Sequence, residues 1–172
     1  MNVFKTSLLA STLIAAGAVA PANAADNMNF DVTISIDESC DVISTETVAF
    51  GVQLASAGTA TAQGDVAVQC TVDTAYELAL NAGTHSGNDI TARQMQINAG
   101  TATIAYQLYQ DSANSDVWGE TTGIGGDTAT GIGTGFGDAT FNQVHTVYAE
   151  ATIVGTEPTG DYSDTITATV TF

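Results

Sequence analysis

The chain has 172 residues, and its 19 acidic residues against two basic ones give a formal net charge of −17 at pH 7. A surface this acidic repels phosphate backbones and anionic lipid headgroups, so the composition excludes nucleic-acid and membrane-surface binding. The longest apolar run lies within the first 24 residues and is too short to span a bilayer, so no membrane insertion is expected.

Residues 1–24 have the pattern of an export signal. Lys5 precedes an apolar run from Leu8 to Val19, and a small-x-small cleavage site ends at Ala24. Cleavage there predicts a mature chain of roughly 150 residues, the size of one domain. Arg93 is then its only basic residue. Solubility or adaptation to salt explains this acidity, and the binding of cations or cationic surfaces is the alternative.

Residues 25–38 follow the signal and alternate in polarity. Phe30, Val32, Ile34 and Ile36 point one way, and the polar residues between them point the other. This period of two predicts a half-buried strand. At the start of an exported chain, such a strand can complete its own sheet or the sheet of a neighbour.

The remaining chain, residues 39–172, predicts an all-β domain. Short runs rich in Val, Ile, Thr and Tyr are separated by Gly, Asn, Asp and Ser, and no segment keeps a helical period. Seven or eight strands in this length favour a β-sandwich. The predicted strands are Cys40–Ile43, Thr47–Phe50, Gly64–Val72, Ala75–Leu80, a short one at Met95 and Ile97, Thr103–Gln110, Val144–Val154 and Ser163–Phe172.

Cys40 and Cys70 are the only cysteines. An even pair in an exported protein predicts a disulfide. Two buried thiols are one alternative, and a metal site is another, although no histidine stands near either cysteine. Because the mature chain has no lysine, it cannot form a Lys–Asn isopeptide bond, and a disulfide is the covalent crosslink that remains.

The stretch Gly119–Gly137 contains eight glycines. A nucleotide-binding loop would need a following Lys-Ser/Thr and a βαβ setting, and both are missing. A calcium-binding glycine–aspartate repeat would need a nine-residue rhythm, which is also missing. We therefore interpret the stretch as a flexible hairpin or an edge segment.

No catalytic pattern is visible in the sequence. The two histidines are isolated, no serine lies in a nucleophile elbow, and no cofactor is expected. Trp118, near Tyr106 and Tyr109, is interpreted as a core or loop anchor, with sugar stacking as the alternative. The two histidines are His85 and His145. The carboxylates are scattered along the sequence and show no acid–base pair; they include Glu77, Asp111, Asp116, Glu120, Asp161 and Asp164.

Several motifs together resemble the spore coat protein U domain family. The resemblance covers the whole predicted mature chain and is most specific at its end. The motifs are Cys40-Asp-Val42, Phe50-Gly51, Val68-Gln-Cys70-Thr, Ile104-Ala-Tyr106-Gln-Leu108-Tyr109-Gln-Asp111, Trp118-Gly119, Thr146-Val147-Tyr148, and Gly160-Asp161-Tyr162-Ser163-Asp164-Thr165 leading to Thr169-Val170-Thr171-Phe172.

That resemblance implies an incomplete immunoglobulin-like, pilin-type β-sandwich that is completed by strand donation. The donor strand would be residues 25–38, with Phe30, Val32, Ile34 and Ile36 as the side chains that fill pockets. The acceptor groove would draw on the last strand and on the strand after the donor, through Val42, Ile166, Ala168, Val170 and Phe172.

The resemblance also implies the function of a structural subunit of an archaic chaperone–usher pilus, which is not an enzyme. Its partners would be a periplasmic chaperone, an outer-membrane usher and other pilus subunits. It would pass through the periplasm to the cell surface and support attachment and biofilm. The alternatives are a secreted carbohydrate-binding adhesin module and a coat or matrix protein that does not polymerise.

Overall fold

The computed structural model describes residues 26–54 and 56–172, so the predicted export signal lies outside the described residues. The chain divides into two units, Met1–Ser35 and Ile36–Phe172. In the first unit, residues 26–35 form neither helix nor strand. The apolar side chains of Met28, Phe30, Val32 and Ile34 there are between 85% and 89% exposed.

The described part of the second unit contains nine strands and no α-helix, which confirms the prediction of an all-β fold. The strands are β1 (Cys40–Thr45), β2 (Gly58–Cys70), β3 (Ala75–Leu80), β4 (Gln94–Ile97), β5 (Thr103–Tyr109), β6 (Ala129–Ile132), β7 (Gln143–Ile153), β8 (Tyr162–Ser163) and β9 (Ala168–Thr171), with a short 3-10 helix at Ala139–Phe141. No helix among the described residues has the length and apolar character needed to cross a membrane.

The strands form two antiparallel sheets, with the order β1-β2-β7-β5-β4-β8 in one and β6-β3-β9 in the other. Alternate residues of the long strands face inward, as a period of two requires. The core therefore contains the inward residues of both sheets: Val66, Val68, Tyr76, Leu78, Leu80, Tyr106, Leu108, Trp118, Val147, Ala149 and Ala151. Trp118 is 1% exposed, which agrees with its interpretation as an anchor.

Three predicted strands differ from the structure. Thr47–Phe50 is not a strand, although its pattern is apolar at alternate positions. The predicted strand Ser163–Phe172 is interrupted at residues 164–167, which separate β8 from β9. The strand predicted from Gly64 begins at Gly58, because inward alanines such as Ala60 carry a weak strand signal. The glycine-rich stretch supplies an edge strand, β6.

Arg93 is fully buried and connects several chain segments. Its guanidinium donates to the backbone carbonyls of Leu80, Asn81 and Trp118 at 2.8 Å and to Oε1 of Gln107 at 2.6 Å. It makes no ion pair within the described residues. Burial lowers the pKa of Arg93, but the surrounding carbonyls satisfy its donors. The side chain thus holds together the end of β3, the start of β4, and β5.

Replacing Arg93 with Met should destabilise the fold. We expect the free energy of unfolding to fall by about 3–5 kcal/mol, because several buried acceptors lose their donor at once. Urea unfolding of the purified protein measures this. Gln94→Met is the matched control, because the Gln94 side chain is half-buried and makes no hydrogen bond within the described residues. Equal stability of the two variants would contradict this role.

His145 faces the core beside two aromatic rings. Its Nε2 lies 2.8 Å from the hydroxyl of Tyr76, and its ring packs edge-on against Tyr76 and Trp118, with centroids 5.8 and 6.1 Å away. Burial lowers the pKa of His145 below 6.5. The neutral ring is therefore the form that the folded protein favours.

This burial makes stability depend on pH. In the unfolded chain His145 binds a proton as the pH falls through 6.5, whereas in the folded protein it binds one only at lower pH. Protonation therefore favours the unfolded state, and the free energy of unfolding should fall as the pH drops from 7.5 to 5. Urea midpoints across this range measure the slope. His145→Gln should flatten it, and His85→Gln should not. An unchanged slope in His145→Gln would show that another group is responsible.

Candidate functional site

An open cleft of about 920 Å³ lies between the two sheets. One wall is the segment 45–54, which begins at the last residue of β1 and is otherwise irregular. The other wall is formed by residues 157–166 and Ala168. The floor is mostly apolar and comes from both sheets: Ala60, Val66, Leu80, Met95, Ile104, Tyr106, Leu108, Val147, Ala151 and Ile153. An open apolar cleft of this size is the kind of surface feature at which proteins commonly bind a partner or a ligand.

Both walls continue into sheet edges. β1 is the end strand of the larger sheet, and β9 is the end strand of the smaller one. Each pairs with a single neighbour, β2 and β3 respectively, so no described strand is hydrogen-bonded to its other side. An edge strand presents unpaired N–H and C=O groups that can pair with an added strand. The cleft therefore combines an apolar floor with two edges that can accept backbone hydrogen bonds.

The segment 45–54 carries a second alternating apolar pattern. Val48 and Phe50 are half-buried against the core, whereas Val52 and Leu54 are 99% and 82% exposed. Gly51 lies between the two pairs with φ +68°, in the left-handed region that favours glycine. After Thr45, the last residue of β1, the segment thus presents apolar side chains at the cleft without forming a strand.

Asp164 fixes the opposite wall. Its Oδ2 accepts a hydrogen bond from the hydroxyl of Tyr106 at 2.7 Å, and its Oδ1 accepts from the amides of Thr84 and Thr165 at 2.9 Å. His85 Nδ1 lies 3.0 Å from the same Oδ1. Burial alone would raise the pKa of the Asp164 carboxyl, but the hydrogen bonds from Thr84 and Tyr106 outweigh it and hold the pKa below its usual value. A charged Asp164 therefore ties residues 164–167 to β5 and to the loop that follows β3.

The disulfide predicted from the sequence joins Cys40 to Cys70, with the two Cα atoms 4.1 Å apart. It links the first residue of β1 to the last residue of β2, and both cysteines are buried. A crosslink that closes a loop of this length stabilises a fold by about 3–4 kcal/mol on the chain-entropy model. It holds β1 at the edge of the larger sheet.

The predicted groove residues occupy different places. Ile166 and Ala168 line the cleft. Val42 and Val170 pack half-buried against the core, where Val42 pairs with Val68. Phe172 is 56% exposed and borders a second, shallower cavity beside Tyr76 and Ile132.

Sequence reasoning missed several residues of the cleft, namely Met95, Ile104, Tyr106 and the segment 45–54. The alternating apolar residues from Val48 to Leu54 were a usable signal for that segment. Met95 and Ile104 read as ordinary core residues, because nothing local shows that an inward side chain faces a cleft.

The scattered carboxylates remain apart from one another. Of the six noted in the sequence, only Asp161 and Asp164 line the cleft. Glu77 accepts from the amide of Gly123, and Asp111 accepts from amides of its own loop, including that of Asp116. No group of three or more potential metal ligands occurs among the described residues.

Tyr106→Phe should weaken the anchoring of the last segment. Removing a hydrogen bond to a buried carboxylate should lower the free energy of unfolding by about 1.5–3 kcal/mol, as measured by urea unfolding. Tyr109→Phe is the matched control on the same strand, because its hydroxyl makes no hydrogen bond within the described residues. Equal losses in both variants would contradict the role of Asp164.

Comparison with known proteins agrees with this architecture. The profile of the Spore Coat Protein U domain matches residues 26–169. The chain is 30% identical over 187 aligned positions to Protein U of Myxococcus xanthus, and the alignment covers 100% of both chains.

Among solved structures, the chain resembles part of the chaperone–tip adhesion subunit pre-assembly complex from the archaic chaperone–usher Csu pili of Acinetobacter baumannii. The TM-score is 0.52 and the identity 23%, over 80% of this chain and 41% of the matched chain. This chain therefore spans less than half of that chain's length, and the likeness shows a shared fold. From the profile match and the full-length relative together, we conclude that the chain belongs to the Spore Coat Protein U domain family.

Proposed function

We propose that the protein is a structural subunit of an archaic chaperone–usher pilus and that it polymerises by exchange of a donor strand. The observation that carries this proposal is the open apolar cleft, whose walls continue into the unpaired edges of β1 and β9. A strand added there gains main-chain hydrogen bonds, and its alternate side chains reach the apolar floor. The family and the shared fold support the same function.

Residues 25–38 are the proposed donor strand. Phe30, Val32, Ile34 and Ile36 are between 82% and 89% exposed, and in an extended strand they lie on one side. Apolar side chains this exposed would be unfavourable in an isolated chain, which supports their burial in a partner. Burying four of them contributes roughly 1.5–3 kcal/mol each before the costs of ordering and association are subtracted.

The incoming strand would lie between two segments of the acceptor. On one side it would extend the sheet at β9, next to Ile166 and Ala168. On the other side it would meet residues 47–50, whose sequence predicts a strand that the single chain does not form. A donor strand would supply the missing pairing partner there and cover the exposed Val52 and Leu54.

Before assembly, the cleft needs a temporary occupant. We propose that a periplasmic chaperone fills it and that an outer-membrane usher exchanges the chaperone strand for the donor strand of the next subunit. Residues 1–24 would direct the chain to the periplasm, and the fibre would lie on the cell surface. There it would support attachment and biofilm formation.

A coat or matrix protein that does not polymerise is the second candidate. It is favoured by the family to which the chain belongs, which is named for a spore coat protein. In this reading the cleft would be filled once, by the protein's own leading segment, and would not exchange. Fibre growth therefore distinguishes the two candidates.

A charge on the inward face of the donor strand should stop assembly. We expect Ile34→Asp to abolish fibres, because the charge would be buried in an apolar cleft. Thr33→Asp is the matched control, since its side chain lies on the opposite face and should leave fibre growth intact. Electron microscopy of cells that carry the chaperone and usher measures fibres, and co-purification measures the chaperone complex.

Both variants should still bind the chaperone, because the acceptor cleft is unchanged. Deletion of Asn27–Asp37 should likewise remove fibres and keep the chaperone complex. Fibres that form from the deleted chain would overturn the donor assignment. Absence of fibres from the wild-type chain beside its chaperone and usher would favour the non-polymerising candidate.

A further inference from the structure

The outward face of the larger sheet carries two tyrosines side by side. Tyr148 on β7 pairs in register with Tyr109 on β5 and, on its other side, with Gln63 on β2. Residues paired across antiparallel strands lie on the same face. Tyr148 alternates with the buried Val147 and Ala149, so this row of three faces away from the core. We call the row and the adjoining Glu150 the tyrosine face.

The polar side-chain groups of the row have no hydrogen-bond partner in the described part of the chain. Within the described residues, neither tyrosine hydroxyl nor the Gln63 amide makes a hydrogen bond, although both rings are half-buried. The other three tyrosines, Tyr76, Tyr106 and Tyr162, each have a hydrogen-bond partner. The tyrosine face therefore offers flat aromatic surface and unused hydrogen-bonding groups together.

Negative charge borders these rings. Glu150 lies two residues from Tyr148 on the same strand face, and its Oε2 accepts a hydrogen bond from Asn114 at 3.3 Å. Burial raises the pKa of Tyr109, and the nearby carboxylates of Glu150 and Asp111 raise it further. A cation at this face would interact both with the carboxylates and with the π-faces of the rings.

The charge of the chain decides which ligand fits. Arg93 is the only Lys or Arg among the described residues, and its side chain is 0% exposed. The surface formed by the described residues therefore offers no Lys or Arg side chain to an anionic ligand. Aromatic rings stack on the apolar faces of sugar rings, and side-chain amides and hydroxyls bind sugar hydroxyls. Carboxylates beside the rings add a preference for a positively charged sugar.

We propose that the tyrosine face binds a glycan with free amines, namely a polymer of deacetylated amino sugars. The rings of Tyr109 and Tyr148 stack on successive sugar units, Gln63 binds hydroxyls, and Glu150 pairs with an ammonium group. This site lies on a strand face and uses no residue of the cleft, so it does not depend on strand exchange. It would attach the protein to a cationic matrix polysaccharide.

Isothermal titration of the exported, purified protein with chitosan oligosaccharides tests this proposal. We expect replacement of both tyrosines with Ser to weaken binding by about tenfold or more, because two stacking contacts are lost. Replacement of both tyrosines with Phe should keep most of the chitosan affinity, since the aromatic rings remain. This variant is the control for the loss of ring packing in the double Ser variant. Val144→Ser is the matched control, because Val144 is exposed on the outward face of β7 but lies outside the row.

Two charge variants complete the test. Glu150→Gln should weaken chitosan binding and leave the binding of fully acetylated oligosaccharides unchanged. Asp73→Asn, an exposed carboxylate at the β2–β3 turn, should have no effect. Equal chitosan affinity of the double Ser variant and wild type would overturn the proposal. Equal loss of chitosan affinity in Asp73→Asn and Glu150→Gln would also overturn it. Polylysine has amines but no sugar rings. If the double Ser variant lost as much affinity for polylysine as for chitosan, the proposal would be overturned as well.

Discussion

The constraint on which the structure depends is an apolar cleft bordered by two unpaired sheet edges. β1 and β9 belong to different sheets, so they cannot satisfy each other's outer backbone groups by pairing. The floor between them contains inward residues of both sheets, and such residues are stable only when water is excluded. An added strand would cover this floor and pair with a sheet edge, and the proposed exchange would supply that strand from another molecule.

Three anchors keep this cleft in shape. The Cys40–Cys70 disulfide holds the start of β1 on β2, and Arg93 joins the ends of β3 and β4 to β5. Asp164 ties the irregular segment before β9 to β5 and to the loop after β3. Walls that are already ordered lower the entropy lost when a strand binds. The segment 45–54 is held by the packing of Val48 and Phe50 against the core and by the hydrogen bond from the Glu46 amide to the Asp65 carbonyl.

The acidic composition has separate consequences on the two surfaces. Along the cleft, recognition is mostly apolar and through the backbone, so a strongly negative chain can still accept a strand from another copy. On the outward face of the larger sheet, the same charge selects against anions and favours a cationic partner beside Tyr109 and Tyr148. The proposed strand exchange and the proposed glycan binding therefore use different faces and different chemistry.

Local sequence patterns determined the class of fold, because a period of two is a property of a few adjacent residues. The two cysteines likewise predicted their own pairing, since no other partner exists in the chain. The apolar pattern of Thr47–Phe50 predicted a strand that is not formed, because a strand also needs a neighbour and no described strand pairs with this segment.

Tertiary structure alone decided which inward residues face a cleft and which are enclosed. Met95 and Ile104 have the same local pattern as core residues, and only the packing of the two sheets and the segments beside them leaves these residues at the opening. The burial of Arg93 and the alignment of Tyr109 with Tyr148 likewise follow from strand register. Strand register pairs residues that are far apart in sequence, so it cannot be predicted from the pattern of a few neighbouring residues.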